Sequence, residues 1–156
     1  HAALDSDLYA GLKRGVTREQ FDEALQQGHV ADLIHRLPTR AGDTIFIPSG
    51  RVHAIGAGLL IYEIQQSSDV TYRLYDWGRM DLNGQPRTLH IEKGVAVSNL
   101  DSIPAITHTA SNNMPLVNIV QTEYFVTLLK QAELFGLAVA GDYCQSRSEE
   151  RRVGKE

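Results

Sequence analysis

The chain has 156 residues, of which 42% are hydrophobic and 22% charged, enough for one ordinary folded domain and too little length for two large ones. With 19 Asp and Glu against 15 Lys and Arg the net charge is −4, and no basic block appears, so nucleic acid is excluded as an expected partner. A small anionic substrate is not excluded, because it needs only a local positive site. Residues 1 to 37 read as a helical insert with a polar face. Within it Thr17 and Gln20 match a capping box, Phe21, Ala24 and Leu25 share a face, and Gly28 can end the helix. HVADLIHRL reads as a second short helical run stopped by Pro38.

From residue 38 to about residue 100 the pattern changes to core strands followed by a short helix or strand. Thr44–Ile47 is a strand candidate, AGLLIYEIQQ (57–66) a second and VTYRLYDW (70–77) a third, with Gly56 and Gly58 suited to the tight link between the first two. DLNGQPR is a loop turning at Asn83-Gly84, and LHIEKGVAVSNL reads as a short helix broken near Gly94. Residues 101 to 113 form a connector rich in Ser, Thr, Asn and Pro. PLVNIVQTEYFVTLLKQAEL resumes β content with a last third open to helix, and the tail from Gln145 is expected to fray. Short strands with Gly and Pro corners predict a mostly antiparallel sandwich or barrel, and the glycines follow neither dinucleotide-binding nor phosphate-loop spacing.

Cys144 is the single cysteine, so no internal disulfide forms, which fits a reducing compartment such as the cytoplasm. Apolar stretches such as Gly56 to Ile61 fall far short of a membrane span, so no membrane partner is expected. The opening HAALDSDLYA carries neither an initiator Met nor the pattern of a signal peptide.

Three segments taken together, GDTIFIPSGRVHAIG, YEIQQSSDVTYRLYDWGR and PRTLHIEKG, resemble type I mannose-6-phosphate isomerases, zinc-dependent enzymes of the cupin class. The likeness runs from about Leu8 to Gly94 and more weakly to about Lys130. It implies a mostly β, cupin-type jelly-roll barrel or sandwich with a small helical insert near the N-terminus. It also implies an aldose-ketose isomerase that interconverts mannose 6-phosphate and fructose 6-phosphate through an enediol, with a metal ion polarising sugar oxygens.

Residue by residue, the resemblance assigns His53 of IPSGRVHA as a zinc ligand. It assigns Glu63 and Arg73 of EIQQSSDVTYR as catalytic groups, Arg73 steadying the enediolate charge and Glu63 taking part in proton transfer. Asp76, Arg79 and Lys93 are substrate-binding candidates, Asp69 lies near them in sequence, and Ser67, Ser68 and Arg87 are candidates for the phosphate. The family's other ligands, a Gln, a His and a Glu, are expected upstream of residue 1.

Each assignment has a plainer counterpart. A lone His is more often structural or solvated than a ligand, and His90 and His108 do not sit at ligand spacing from His53. A strand Arg is more often a cross-strand ion-pair partner, and Trp77 reads as packing. His29 and His35 read as surface residues. The alternative function is therefore a metal-poor cupin module that binds sugar or serves a structural role. A third, another cupin enzyme such as an oxygenase or epimerase, needs a His-rich ligand set that the sequence does not display. Strand edges left unpaired predict self-association.

Overall fold

The computed structural model describes residues 1–66, 70–101, 106–108, 117–122, 125–129 and 145–147. Its largest sheet is antiparallel, with strand order β2-β1-β4, built from β1 (Asp7–Leu12), β2 (Ile34–Pro38) and β4 (His53–Ile55). Three two-stranded antiparallel pairs complete the described strands. They join β3 (Asp43–Ile45) to β6 (Ile106–His108), β5 (Glu63–Gln65) to β9 (Gln145–Arg147), and β7 (Val117–Gln121) to β8 (Val126–Leu129). The mostly β expectation holds. A closed jelly-roll barrel is not formed among the described residues.

The helix α1 (Arg18–Gln27) forms where the capping signals place it. Thr17 and Gln20 exchange both capping-box bonds, and Gly28, at φ 76°, donates its N–H to the carbonyls of Ala24 and Leu25. Its buried face, Phe21, Ala24 and Leu25, joins Leu12, Val30 and Ile34 in one core. Phe21 is fully enclosed, a burial that contributes about 1.5–3 kcal/mol as an upper figure. Leu74, Tyr75, Ile91 and Val95 pack against the same core, so the segment around residue 75 is docked onto α1. A second core gathers Leu8, Ala10 and Leu59.

The N-terminal region is not wholly helical. DLYAGL is strand β1, because Leu8, Ala10 and Leu12 alternate into the core between two neighbouring strands. Gly11, at φ 71°, sits inside the bulge between Tyr9 and Leu12, a conformation that helix excludes. HVADLIHRL divides into a single 3-10 turn, Val30–Leu33, and strand β2, since pairing with β1 claims the backbone of residues 34–38.

All three expected strands are shortened or lost, Thr44–Ile47 being strand only as far as Ile45 in β3. In 57–66 only Glu63–Gln65 is strand. The preceding residues are instead held by the chain start, Ala3 N–H donating to Gly58 O and Leu60 N–H to His1 O. Gly56 lies so close to Asp7 that a Cβ there would sit 2.3 Å from the Asp7 carbonyl oxygen. The segment 70–77 is not a strand, because Arg73 spends both backbone polar groups on His90, its N–H donating to Nδ1 and its carbonyl accepting from the His90 N–H. Trp77 (φ 51°) and Gly78 (φ 66°) then turn the chain out of extended geometry.

The helix α2 (Ile91–Val97) runs unbroken through Gly94, correcting the expected break. Leu74 fills the space a side chain at Gly94 would need. The loop at Asn83-Gly84 forms as expected, with Asp81 Oδ1 accepting from the N–H of Asn83 and Gln85 and with Gly84 at φ 72°. The connector expected over 101–113 contains β6, and residues 145–147 of the expected frayed tail form β9 against β5. Ser67, Ser68, Asp69, Cys144 and residues 130–134 of the 115–134 run lie outside the described residues, while Leu128 and Leu129, in the part left open to helix, are strand in β8. Among the described residues no helix is long and apolar enough to cross a membrane.

Candidate functional site

The described structure gathers charge around one carboxylate. Asp76 is only 7% exposed, at the corner where the 70–77 segment turns, and Arg87 grips both of its oxygens through Nε and Nη2. Arg79 approaches the same carboxylate at 3.9 Å, and Arg73 is near enough to lower its pKa. The Asp76 carboxyl is held below the usual carboxylate range, chiefly by the Arg87 hydrogen bonds and then by the charges of Arg87, Arg79 and Arg73, with burial opposing them. The Arg87 guanidinium is correspondingly raised by its bond to Asp76.

The local fold explains the meeting. The Asn83-Gly84 turn folds the chain back, and Met80 bridges Pro86 across it, so Asp76 and Arg87, 11 positions apart, come face to face. Arg87 is engaged with Asp76 through two N–H groups. Arg73 donates one guanidinium bond, to the Thr88 carbonyl at 3.3 Å, and Arg79 lies 5.6 Å over the Trp77 ring. A guanidinium has five N–H donors, so Arg73 and Arg79 retain donors for an anionic ligand. Three guanidiniums against one carboxylate leave the cluster with surplus positive charge in a chain of net charge −4. Trp77 stands beside it, 5.0 Å from Tyr75 and 5.9 Å from Tyr9 between ring centroids, which presents an aromatic group next to the cations.

The structure brings together Arg73, Asp76, Arg79 and Arg87, all of them sequence candidates. Arg87 is bound to Asp76 through two of its N–H groups. Lys93 is exposed on α2, His53 opens β4 opposite Ala10 of β1, and Glu63 opens β5, half-buried. Among the described residues no hydrogen bond or ion pair joins these three to the arginine cluster. A shallow depression lined by Arg14, Gln20, Glu23 and His29 also lies apart from it.

His53 meets half of the test for a zinc ligand. Its Nδ1 lies 3.0 Å from the Arg51 carbonyl, which can only accept, so Nδ1 carries the proton and Nε2 keeps the lone pair that a metal would take. The other half fails. Among the described residues no group of three His, Cys, Asp or Glu side chains is placed to hold an ion. The described donor set therefore does not fit zinc.

Sequence reasoning missed the roles of Arg87 and His90. The Asn83-Gly84 turn, with opposite charges on its flanks, was a usable signal for the Asp76–Arg87 pair. No local signal pointed to His90 as the partner of the Arg73 backbone.

No family model matches the chain. Over 125 residues it is 38% identical to the probable mannose-6-phosphate isomerase GmuF of Bacillus subtilis, covering 78% of this chain and 39% of that protein. It is 36% identical over 124 residues to the mannose-6-phosphate isomerase ManA of the same organism, with the same coverage. A mannose-6-phosphate isomerase of Streptococcus mutans is 44% identical over 81 residues, 52% of this chain and 26% of the relative. The crystal structure of a Bacillus subtilis mannose 6-phosphate isomerase superposes with a TM-score of 0.72 at 29% identity, covering 81% of this chain and 41% of that one. The chain thus spans 39% of the length of the first two of these relatives.

Proposed function

We propose that this chain, which is homologous in sequence and fold to the mannose-6-phosphate isomerases, acts as a metal-poor, cupin-related module that binds a sugar phosphate, mannose 6-phosphate being the expected ligand. The observation that carries this reading is the grouping at the buried Asp76 carboxylate, where Arg87 bonds both oxygens and Arg79 lies at 3.9 Å, with Arg73 three residues before it. Asp76 and Arg87 brace each other and hold the corner, while Arg73 and Arg79 offer forked donors to the phosphate and Trp77 offers an apolar ring face to the sugar. The cytoplasm, where sugar phosphates reside with reduced thiols, is the compartment this reading expects.

Titration calorimetry with mannose 6-phosphate and with mannose tests it. Binding of the phosphate ester at least roughly tenfold tighter than of mannose, weakening with added salt, is the expected result. Equal affinity for the two sugars, or none for either, overturns it. Arg79→Ala is expected to weaken the ester selectively.

The names of the relatives favour a second reading, full aldose-ketose isomerisation between mannose 6-phosphate and fructose 6-phosphate. In that reading Arg73 stabilises the oxygen charge of the enediolate, Glu63 moves the proton between adjacent sugar carbons, and Lys93 adds positive charge at the rim. Zinc would enter at His53, but the described residues supply no companion ligands. Interconversion assayed with zinc supplied separates the two: turnover selects the isomerase, while ester-selective binding without turnover selects the module. Sedimentation analysis of the same sample decides whether two copies associate, as the expected pairing of strand edges requires.

A further inference from the structure

We propose that His90 is a positioning residue for Arg73, its imidazole taking the place of a neighbouring strand. Among the described residues Arg73 lies in a segment with no strand partner, yet its amide and carbonyl need partners where water is partly excluded. One residue supplies both. The Arg73 N–H donates to His90 Nδ1 at 3.2 Å, and the His90 N–H donates to the Arg73 carbonyl at 2.7 Å. An amide donates only, so the Nδ1 lone pair faces it and the ring proton sits on Nε2.

His90 is itself fixed at both ring and backbone. Its ring meets Tyr72 edge-on, 6.1 Å between centroids at 61°. The His90 carbonyl accepts the Gly94 N–H at 2.8 Å, which ties it to the first turn of α2. One turn on, Gly94 is closely packed against Leu74, the residue after Arg73. At the far end of α2, Arg18 of α1 donates to the carbonyls of Val95 and Ser98. A continuous set of contacts therefore runs from α1 through α2 and His90 to the backbone of Arg73. Arg73 also donates from its guanidinium to Thr88, two residues before His90, so both backbone and side chain of this arginine are set by the 88–90 segment. A binding arginine held by a mobile backbone would lose affinity to ordering entropy on each encounter, and this clamp removes that loss beforehand.

The consequence for ligand affinity rests on the sugar-phosphate-binding reading, but the clamp itself can be measured without any ligand. Long-range nitrogen-15 spectra of the wild-type imidazole are expected to show the Nε2–H tautomer with Nδ1 as acceptor, and an Nδ1–H tautomer overturns the proposal. Two substitutions extend the test. His90→Phe keeps a flat ring against Tyr72 and removes the acceptor. His90→Asn keeps an acceptor oxygen near the Nδ1 position and removes the ring. Amide hydrogen exchange at Arg73 is expected to speed up by roughly five- to tenfold in the Phe variant and to stay within about twofold of wild type in the Asn variant. The Phe21 amide in α1 serves as the folding control. Affinity for mannose 6-phosphate should follow the same order, weakened about five- to tenfold by Phe and restored by Asn. Equal protection of Arg73 in both variants, or loss in Asn as great as in Phe, overturns the positioning role. Failure of the wild type to bind mannose 6-phosphate strikes the functional reading alone, because the tautomer and the exchange pattern still decide what His90 does.

Discussion

Replacing Asp76 by Asn keeps the size of the side chain and removes the charge that Arg87 bonds and Arg79 approaches. The Asn side chain presents an NH2 group where Arg87 now meets an oxygen, so at least one donor faces a donor at a site only 7% exposed. Breaking a fully buried ion pair from one side costs about 3–5 kcal/mol. Here the Arg87 side chain keeps 29% of its exposure and can recover some hydration, so a loss of roughly 2–3 kcal/mol is expected. For a chain of this size that corresponds to a melting temperature lower by roughly 4–12 °C.

The pH dependence gives a second, independent reading. Asp76 has a folded-state pKa below its unfolded value, so its contribution is complete above the unfolded value of about 4 and disappears as pH falls through the lower folded value. Urea unfolding of wild type and Asp76→Asn should therefore differ fully at pH 7 and converge in acid below about pH 4. The double change Asp76→Leu with Arg87→Met should recover part of the loss, since neither partner is left buried without its mate. A penalty below about 0.5 kcal/mol at pH 7, the range of ordinary surface substitutions, would refute the claim that this pair braces the corner.

Other outcomes follow from close contacts and caps. Gly94→Ala would set a Cβ 2.5 Å from Leu74 Cδ2 and 3.3 Å from Tyr72 Cβ, so overpacking should outweigh the gain in helix propensity and lower the urea midpoint, by about 1–2 kcal/mol in stability. Gly56→Ala would meet the Asp7 carbonyl oxygen at 2.3 Å, and backbone cannot swing away as a side chain can; a larger loss is expected, with faster exchange of the β1–β4 amides. Thr17→Ala removes the capping-box acceptor and should reduce stability by about 1 kcal/mol, read by thermal melting, with Thr17→Ser near wild type. Zinc titration followed by calorimetry should give no stoichiometric high-affinity binding, and His53→Ala should leave that result unchanged; tight zinc uptake abolished by His53→Ala would contradict the fit of the described donors.

What was legible in the sequence divides along a physical line. The helix at Arg18–Gln27 was readable to its caps because Thr17, Gln20 and Gly28 act within a few residues of one another. The Asn83-Gly84 turn was readable for the same reason. The segment DLYAGL was misread as helical because its strand character comes from β2 and β4, whose residues lie 20 or more positions away in the paired registers. VTYRLYDW has the alternation of a strand, yet its Arg73 backbone is claimed by His90, a competition that periodicity cannot register.

The candidate site shows the same division. The sequence by itself determined the family resemblance, the helix, the turn and the presence of Arg73, Asp76, Arg79 and Arg87 within a short span. Only the tertiary structure decided that Asp76 is buried and shared among the arginines, that Arg87 is engaged with it, and that His90 grips Arg73. It also decided that His53 and Glu63 are joined to that cluster by no described hydrogen bond or ion pair. Caps and turns are settled by neighbours along the chain, whereas burial and charge pairing depend on which distant backbone arrives alongside, and that is fixed only when the strands and cores have chosen their partners.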